Sequence, residues 1–86
     1  MISAVGELIK QAREKKRLSQ TAAARTLKFS EQFLGSIEAG KAPLPLTRVK
    51  KVKKFFKISN QMLLKAYVQD YARKIGRVLD SKTKRR

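Results

Sequence analysis

The side chains able to do chemistry in this sequence are overwhelmingly cations. Twenty-two Lys and Arg stand against Glu7, Glu14, Glu31, Glu38, Asp70 and Asp80, a net charge of +16. Charge this lopsided destabilises a compact chain by self-repulsion. A polyanionic partner (DNA, RNA or an anionic membrane) relieves the repulsion and speeds encounter, and nucleic acid is the reading taken. The charge is also uneven: residues 1–40 carry seven basic and four acidic side chains, net +3, whereas residues 41–86 carry fifteen and two, net +13. Other chemistry is missing. With no His and no Cys, disulfides, Cys/His metal sites and Cys/His nucleophiles are unavailable. The six carboxylates are scattered and no Gly-rich phosphate cradle occurs, so the sequence does not read as an enzyme, and no cofactor or metal is expected.

The elements that must position these side chains read as helices joined by tight turns. Eighty-six residues with 42% apolar content form one small domain, because so short a chain has too little interior to divide between two cores. Val5, Leu8, Ile9 and Ala12 recur at i, i+3, i+4 and i+7, which predicts a helix over about residues 3–16 capped by Ser3. Ser19 caps a second helix, about 20–27, with Ala23 and Leu27 inward. Ser30 caps a third, about 30–39, with Phe33, Leu34 and Ile37 at helical spacing and Gly40 as its stop. Residues 41–45 contain both prolines and suit an extended loop. Leu46, Val49, Val52, Phe55 and Phe56 mark a fourth helix over about 46–57, its outer face carrying Arg48, Lys50, Lys51, Lys53, Lys54 and Lys57. Ser59 or Asn60 caps a last helix, 60–80, and residues 81–86 read as a basic, flexible tail. No stretch approaches the roughly 18 apolar residues of a membrane span, and residues 1–10 lack the pattern of an export signal. A cytoplasmic, nucleoid-associated protein of a bacterial or phage-infected cell, with no membrane partner, is expected.

Residues 20–40, QTAAARTLKFSEQFLGSIEAG, resemble the helix-turn-helix family of phage repressor and Cro proteins and bacterial Xre-type transcriptional regulators. Ala24 stands where two short helices cross closely, and Ala23, Leu27, Phe29, Leu34 and Ile37 fall at the buried positions. The family also commonly has Arg seven residues before the opening Gln, here Arg13, and Glu-x-Gly closing the reading helix, here Glu38-Ala39-Gly40. The resemblance covers about residues 5–59. It implies an all-α, five-helix, repressor-like DNA-binding domain with an extended C-terminal helix, its core in residues 1–60, and an ion pair between Arg13 and Glu38. Two positions depart from the pattern. Lys28 stands where the turn usually has Gly, at a cost of roughly 1 kcal/mol if it adopts positive φ. Gly35 lies inside the reading helix and permits close approach either to DNA or to a neighbouring helix.

The same resemblance assigns roles to the outward residues. Glu31, Gln32 and Ser36 would meet base edges in the major groove: Gln32 can pair bidentately with adenine, Glu31 can accept from cytosine N4, and Ser36 can bond several bases. Glu31 also fits as a first-turn carboxylate favouring the helix N-terminus. Phe33 either touches a thymine methyl or packs beside the fourth helix, since a groove-facing Phe is costly to expose in the unbound state. Gln20 would contact a phosphate and brace Gln32, and Thr21, Lys28, Ser30, Lys41, Arg48 and Lys50 would also lie at phosphates, where they position rather than specify.

The last helix continues its apolar steps through Leu64, Val68, Tyr71, Ile75 and Val78, a coiled-coil-like seam. Met62, Leu63, Leu64 and Tyr67 are expected to dock on the core, and Tyr71, Ile75 and Val78 to pair with a second subunit. The alternative is a stripe folded back on its own domain. A homodimer on a palindromic double-stranded operator follows from the first reading, with no small-molecule ligand. The function implied is a sequence-specific transcriptional regulator of repressor type. The rival readings are an antitoxin or adaptor acting through protein contacts, and a nonspecific DNA-packaging or RNA-binding protein.

Overall fold

In the computed structural model, the backbone is described for residues 3–84 and the side chains for residues 3–80. The described residues form five α-helices and no strand: α1 Ala4–Lys15, α2 Gln20–Leu27, α3 Glu31–Glu38, α4 Val49–Phe56 and α5 Asn60–Lys84. Four of the five begin at a serine. The hydroxyls of Ser3, Ser19 and Ser30 each accept the N–H three residues on at 3.0 Å, and Ser59 does the same for Met62 at 3.1 Å. Each cap satisfies an amide that the helix leaves unpaired. α4 is entered differently, through a 3₁₀ turn at Leu46–Arg48 that follows Pro45 and has no side-chain cap.

The C-terminal ends of α1 to α4 share one device. Arg17, Lys28, Gly40 and Lys57 all have positive φ, between 55° and 81°. The following N–H then reaches back five residues: Leu18 to Arg13 O, Phe29 to Ala24 O, Lys41 to Ser36 O and Ile58 to Lys53 O, at 2.8–3.2 Å. This left-handed closure reverses the chain within two residues and satisfies otherwise unpaired carbonyls. Three of the four positions are cations rather than glycine. Their charge favours a helix C-terminus, which offsets part of the left-handed strain.

The core gathers one face of every helix: Val5 and Ile9, Ala23, Ala24 and Leu27, Leu34 and Ile37, Val52 and Phe56, Leu63 and Ala66, sealed by Phe29, Leu44 and Ile58 from the connections. α1 lies across α3 so closely that a Cβ on Gly6 would collide with the Ile37 carbonyl oxygen. Gly6 is therefore the tight crossing between those two helices. Ala24, expected at the other close crossing, is also fully enclosed.

Several apolar residues lie elsewhere than their periodicity suggests. Leu46, counted on the inner face of the fourth helix, is 79% exposed, because the 3₁₀ turn rotates it outward and Leu44 fills the core instead. Met62 and Leu64, expected to dock, are exposed. Leu63, Ala66 and Tyr67 carry the docking of α5, with the Tyr67 hydroxyl donating to Leu44 O at 3.0 Å. α5 also runs to Lys84, so residues 81–84 are helical where a flexible tail was expected. Residues 85 and 86 of that tail lie outside the described residues. The radius of gyration, 14.3 Å, exceeds the roughly 12 Å of a compact chain of this length. The long axis of 48 Å accommodates an α5 of 25 residues, about 37 Å long. No helix among the described residues is long and apolar enough to cross a membrane.

Candidate nucleic-acid interface

α3 is held from three sides. Leu34 and Ile37 anchor it in the core, each at most 1% exposed. At its C-terminal end the Glu38 carboxylate, its side chain 3% exposed, accepts two hydrogen bonds from the Arg13 guanidinium, at 2.7 Å and 3.1 Å. The Gln20 amide donates a third at 3.0 Å. Arg13 also donates to Leu18 O at 2.8 Å. One buried carboxylate thus ties α1, the α1–α2 connection and the start of α2 to the end of α3. The Glu38 hydrogen bonds raise the Arg13 pKa above its ordinary value, against the opposing effect of burial and with the help of the Glu38 and Glu14 charges. The Arg13 guanidinium therefore stays charged at physiological pH.

The outward residues follow from that anchoring. Glu31 and Gln32, in the first turn of α3, are exposed, while Ser36 one turn later is half-buried and its carbonyl is taken by the N–H groups of Lys41 and Ala42. Ser30 is the α3 cap. Phe33 is half-buried against the core and packs edge-on on Phe29, ring centroids 5.2 Å apart. The Arg48 guanidinium lies over the other participant, Phe29, at 5.2 Å. Lys28, Phe29, Phe33 and Arg48 are thereby gathered beside the start of α3. Thr21, Lys41 and Lys50 are exposed. Gln20 does not reach toward Gln32; its amide is committed to Glu38 and lies over Gly35, where an added Cβ would meet Gln20 Oε1 at 3.4 Å. A side chain at Gly35 would therefore meet only the Gln20 side chain, at ordinary contact distance.

Tyr71, Ile75 and Val78 line one exposed stripe of α5 with Leu64 and Val68, at 39–66% exposure.

Two positions that organise the surface went unread in the sequence. The first is Gly6. The second is Asp70 of α5, whose carboxylate accepts from the Ala4 N–H at 2.6 Å, the Val5 N–H at 3.1 Å and the Ser3 hydroxyl at 2.8 Å. Burial pushes the Asp70 carboxyl upward, but the donors of Ala4, Val5 and Ser3, with the Arg73 charge, outweigh it and hold the pKa below the ordinary carboxylate value. A helix N-terminus capped by a carboxylate from another helix fixes α5 against α1. Asp70 stands out in the sequence as one of only two acids in the strongly basic second half, but the helix it caps does not. No cluster of His, Cys, Asp or Glu among the described residues could hold a metal ion.

A family model described as a helix-turn-helix domain matches residues 4–57, from the first residue of α1 to the residue after α4. No curated protein and no solved structure matches the chain.

Proposed function

Because the chain belongs to the helix-turn-helix domain family, we propose that it is a sequence-specific double-stranded DNA-binding regulator of repressor type, inserting the N-terminal half of α3 into the major groove. The observation that carries this reading is the anchoring of α3. Its far end is locked through Glu38 to Arg13 and Gln20, and its first turn presents Glu31 and Gln32 to solvent. A rigid helix with a polar, exposed first turn is what reading base edges requires. Gln32 reads adenine, with Ser36 and Glu31 beside it. Thr21, Lys28, Ser30, Lys41, Arg48 and Lys50 engage phosphates and set register. Gln20 acts here through Glu38, as a positioning residue.

The exposed stripe of Tyr71, Ile75 and Val78 supports a homodimer, whose two α3 helices would read half-sites about one DNA turn apart in a palindromic operator. The same stripe is what an antitoxin or adaptor would use to hold a protein partner, the second reading. Random-site selection on duplex DNA, followed by sequencing of the bound fraction, tests the proposal. A palindromic consensus is expected, and Gln32→Ala should relax preference at one position per half-site by about 1–3 kcal/mol. A selection that enriches nothing refutes specific reading. Equal binding to all duplexes then points to packaging, and no binding to an adaptor.

A further inference from the structure

The face of α5 that turns toward the body changes character along its length. Leu63, Ala66 and Tyr67 pack on the core, Asp70 caps α1, and the next positions on the same face are Arg73, Lys74 and Arg77. Those three are not opposed by core. They line an open cleft of about 300 Å³ whose other wall is Lys41 with Gly40, Ala42 and Pro43, the segment that leaves α3.

We infer that this cleft between α5 and the segment after α3 binds a phosphate group of the DNA backbone through Lys41, Arg73, Lys74 and Arg77, extending the footprint beyond the helix-turn-helix. The inference rests on the DNA-binding function proposed above. Three features support it. Four cations from two elements converge on one concavity, and Arg is suited to bidentate phosphate recognition. The one acid in the cleft, Asp70, is turned to the Ala4 and Val5 amides and the Ser3 hydroxyl, and against the four cations it leaves the lining with a net charge of +3. Finally, the cleft is fixed relative to the reading helix, because the Lys41 N–H is bonded to Ser36 O at 2.8 Å.

The apolar stripe lies on a different face. Tyr71, Ile75 and Val78 are turned about 100° or more around the helix from Arg73 and Arg77, while Lys74, one turn from Tyr71 and from Val78, borders the stripe, so the two arginines can meet a phosphate without entering the pairing face.

The test compares two double variants of equal charge by fluorescence anisotropy on a duplex, between about 50 and 200 mM salt. Lys74→Gln/Arg77→Gln removes cleft cations without touching the Arg73–Asp70 pair. Lys10→Gln/Lys15→Gln removes exposed cations of α1 and serves as control, and helical CD of each variant establishes that both are folded. Loss of one or two phosphate contacts in the cleft variant should make its salt-induced fall in affinity about 3- to 12-fold smaller than that of the wild type, with the control unchanged. Equal slopes in the wild type and both variants overturn the inference while leaving the proposed function standing. A wild type that binds no duplex overturns both. In a parallel arm, inorganic phosphate is titrated into the wild type; backbone amide shifts confined to the cleft together with an unaltered duplex slope would assign it to a free phosphate and overturn the DNA assignment.

Discussion

Replacing Arg13 with Met removes every donor that this side chain brings to Glu38 while keeping its apolar stem. The Glu38 side chain is 3% exposed and would retain only the Gln20 amide at 3.0 Å. A buried carboxylate stripped of its cation costs about 3–5 kcal/mol. The loss of the Arg13 bond to Leu18 O adds about 1 kcal/mol. At about 0.05–0.15 kcal/mol per residue, the whole domain has roughly 4–13 kcal/mol to lose, so Arg13→Met removes a third of the stability or all of it. Glu38→Leu should be milder. Arg13 is 11% exposed, keeps Leu18 O, and has a long stem that can carry its head to water. The double variant Arg13→Met/Glu38→Leu replaces the pair with apolar groups of similar volume and should be more stable than Arg13→Met alone. Urea unfolding followed by helical CD at neutral pH gives the three free energies and their coupling. An Arg13→Met variant within about 1 kcal/mol of wild type, or a double variant that loses the sum of the two single losses to within about 0.5 kcal/mol, would refute the claim that this pair holds α3.

Other perturbations probe the remaining devices. Gly6→Ala forces a methyl group against the Ile37 carbonyl, and overpacking of this kind should cost about 1–3 kcal/mol in thermal or urea unfolding; an unchanged midpoint would refute the tight α1–α3 crossing. Lys28→Gly relieves a residue at φ 60° and should stabilise the fold by up to about 1 kcal/mol, while weakening duplex binding through loss of one cation; a destabilised variant would contradict the left-handed closure. Asp70 has a depressed folded pKa, so its contribution is fully present above its unfolded pKa of about 4 and is lost as pH falls through the lower folded value. Asp70→Asn should therefore cost about 1 kcal/mol at neutral pH, as loss of a cap does, and flatten the acid limb of the stability profile below about pH 4; parallel profiles for variant and wild type would rule this linkage out. Sedimentation should show a dimer that Ile75→Lys dissociates, and a monomeric wild type at high concentration would remove the pairing stripe from the proposed function.

What periodicity and capping chemistry can express was legible in the chain. The serines at positions 3, 19, 30 and 59 start helices because a hydroxyl beside an unpaired amide is a local matter. The spacing of Leu34 and Ile37 buries one face of α3 and turns Glu31 and Gln32 outward for the same local reason. Lys28 was flagged for a positive φ by the family resemblance, which puts Gly at that place in the turn, and it has one, 60°. Contacts between distant segments were not legible. Nothing within α5 announces that Asp70 caps a helix beginning 66 residues earlier, and nothing around Gly6 names the Ile37 carbonyl it must avoid. Leu46 and Leu44 are both apolar neighbours of Pro45, and only the 3₁₀ turn into α4 decides that Leu44 goes inside. The fold class follows from short-range periodicity. Which donor Gln20 spends, where the basic face of α5 meets Lys41, and which cations share a cleft are set by how helices cross, because electrostatic and hydrogen-bond partners are chosen by proximity in space.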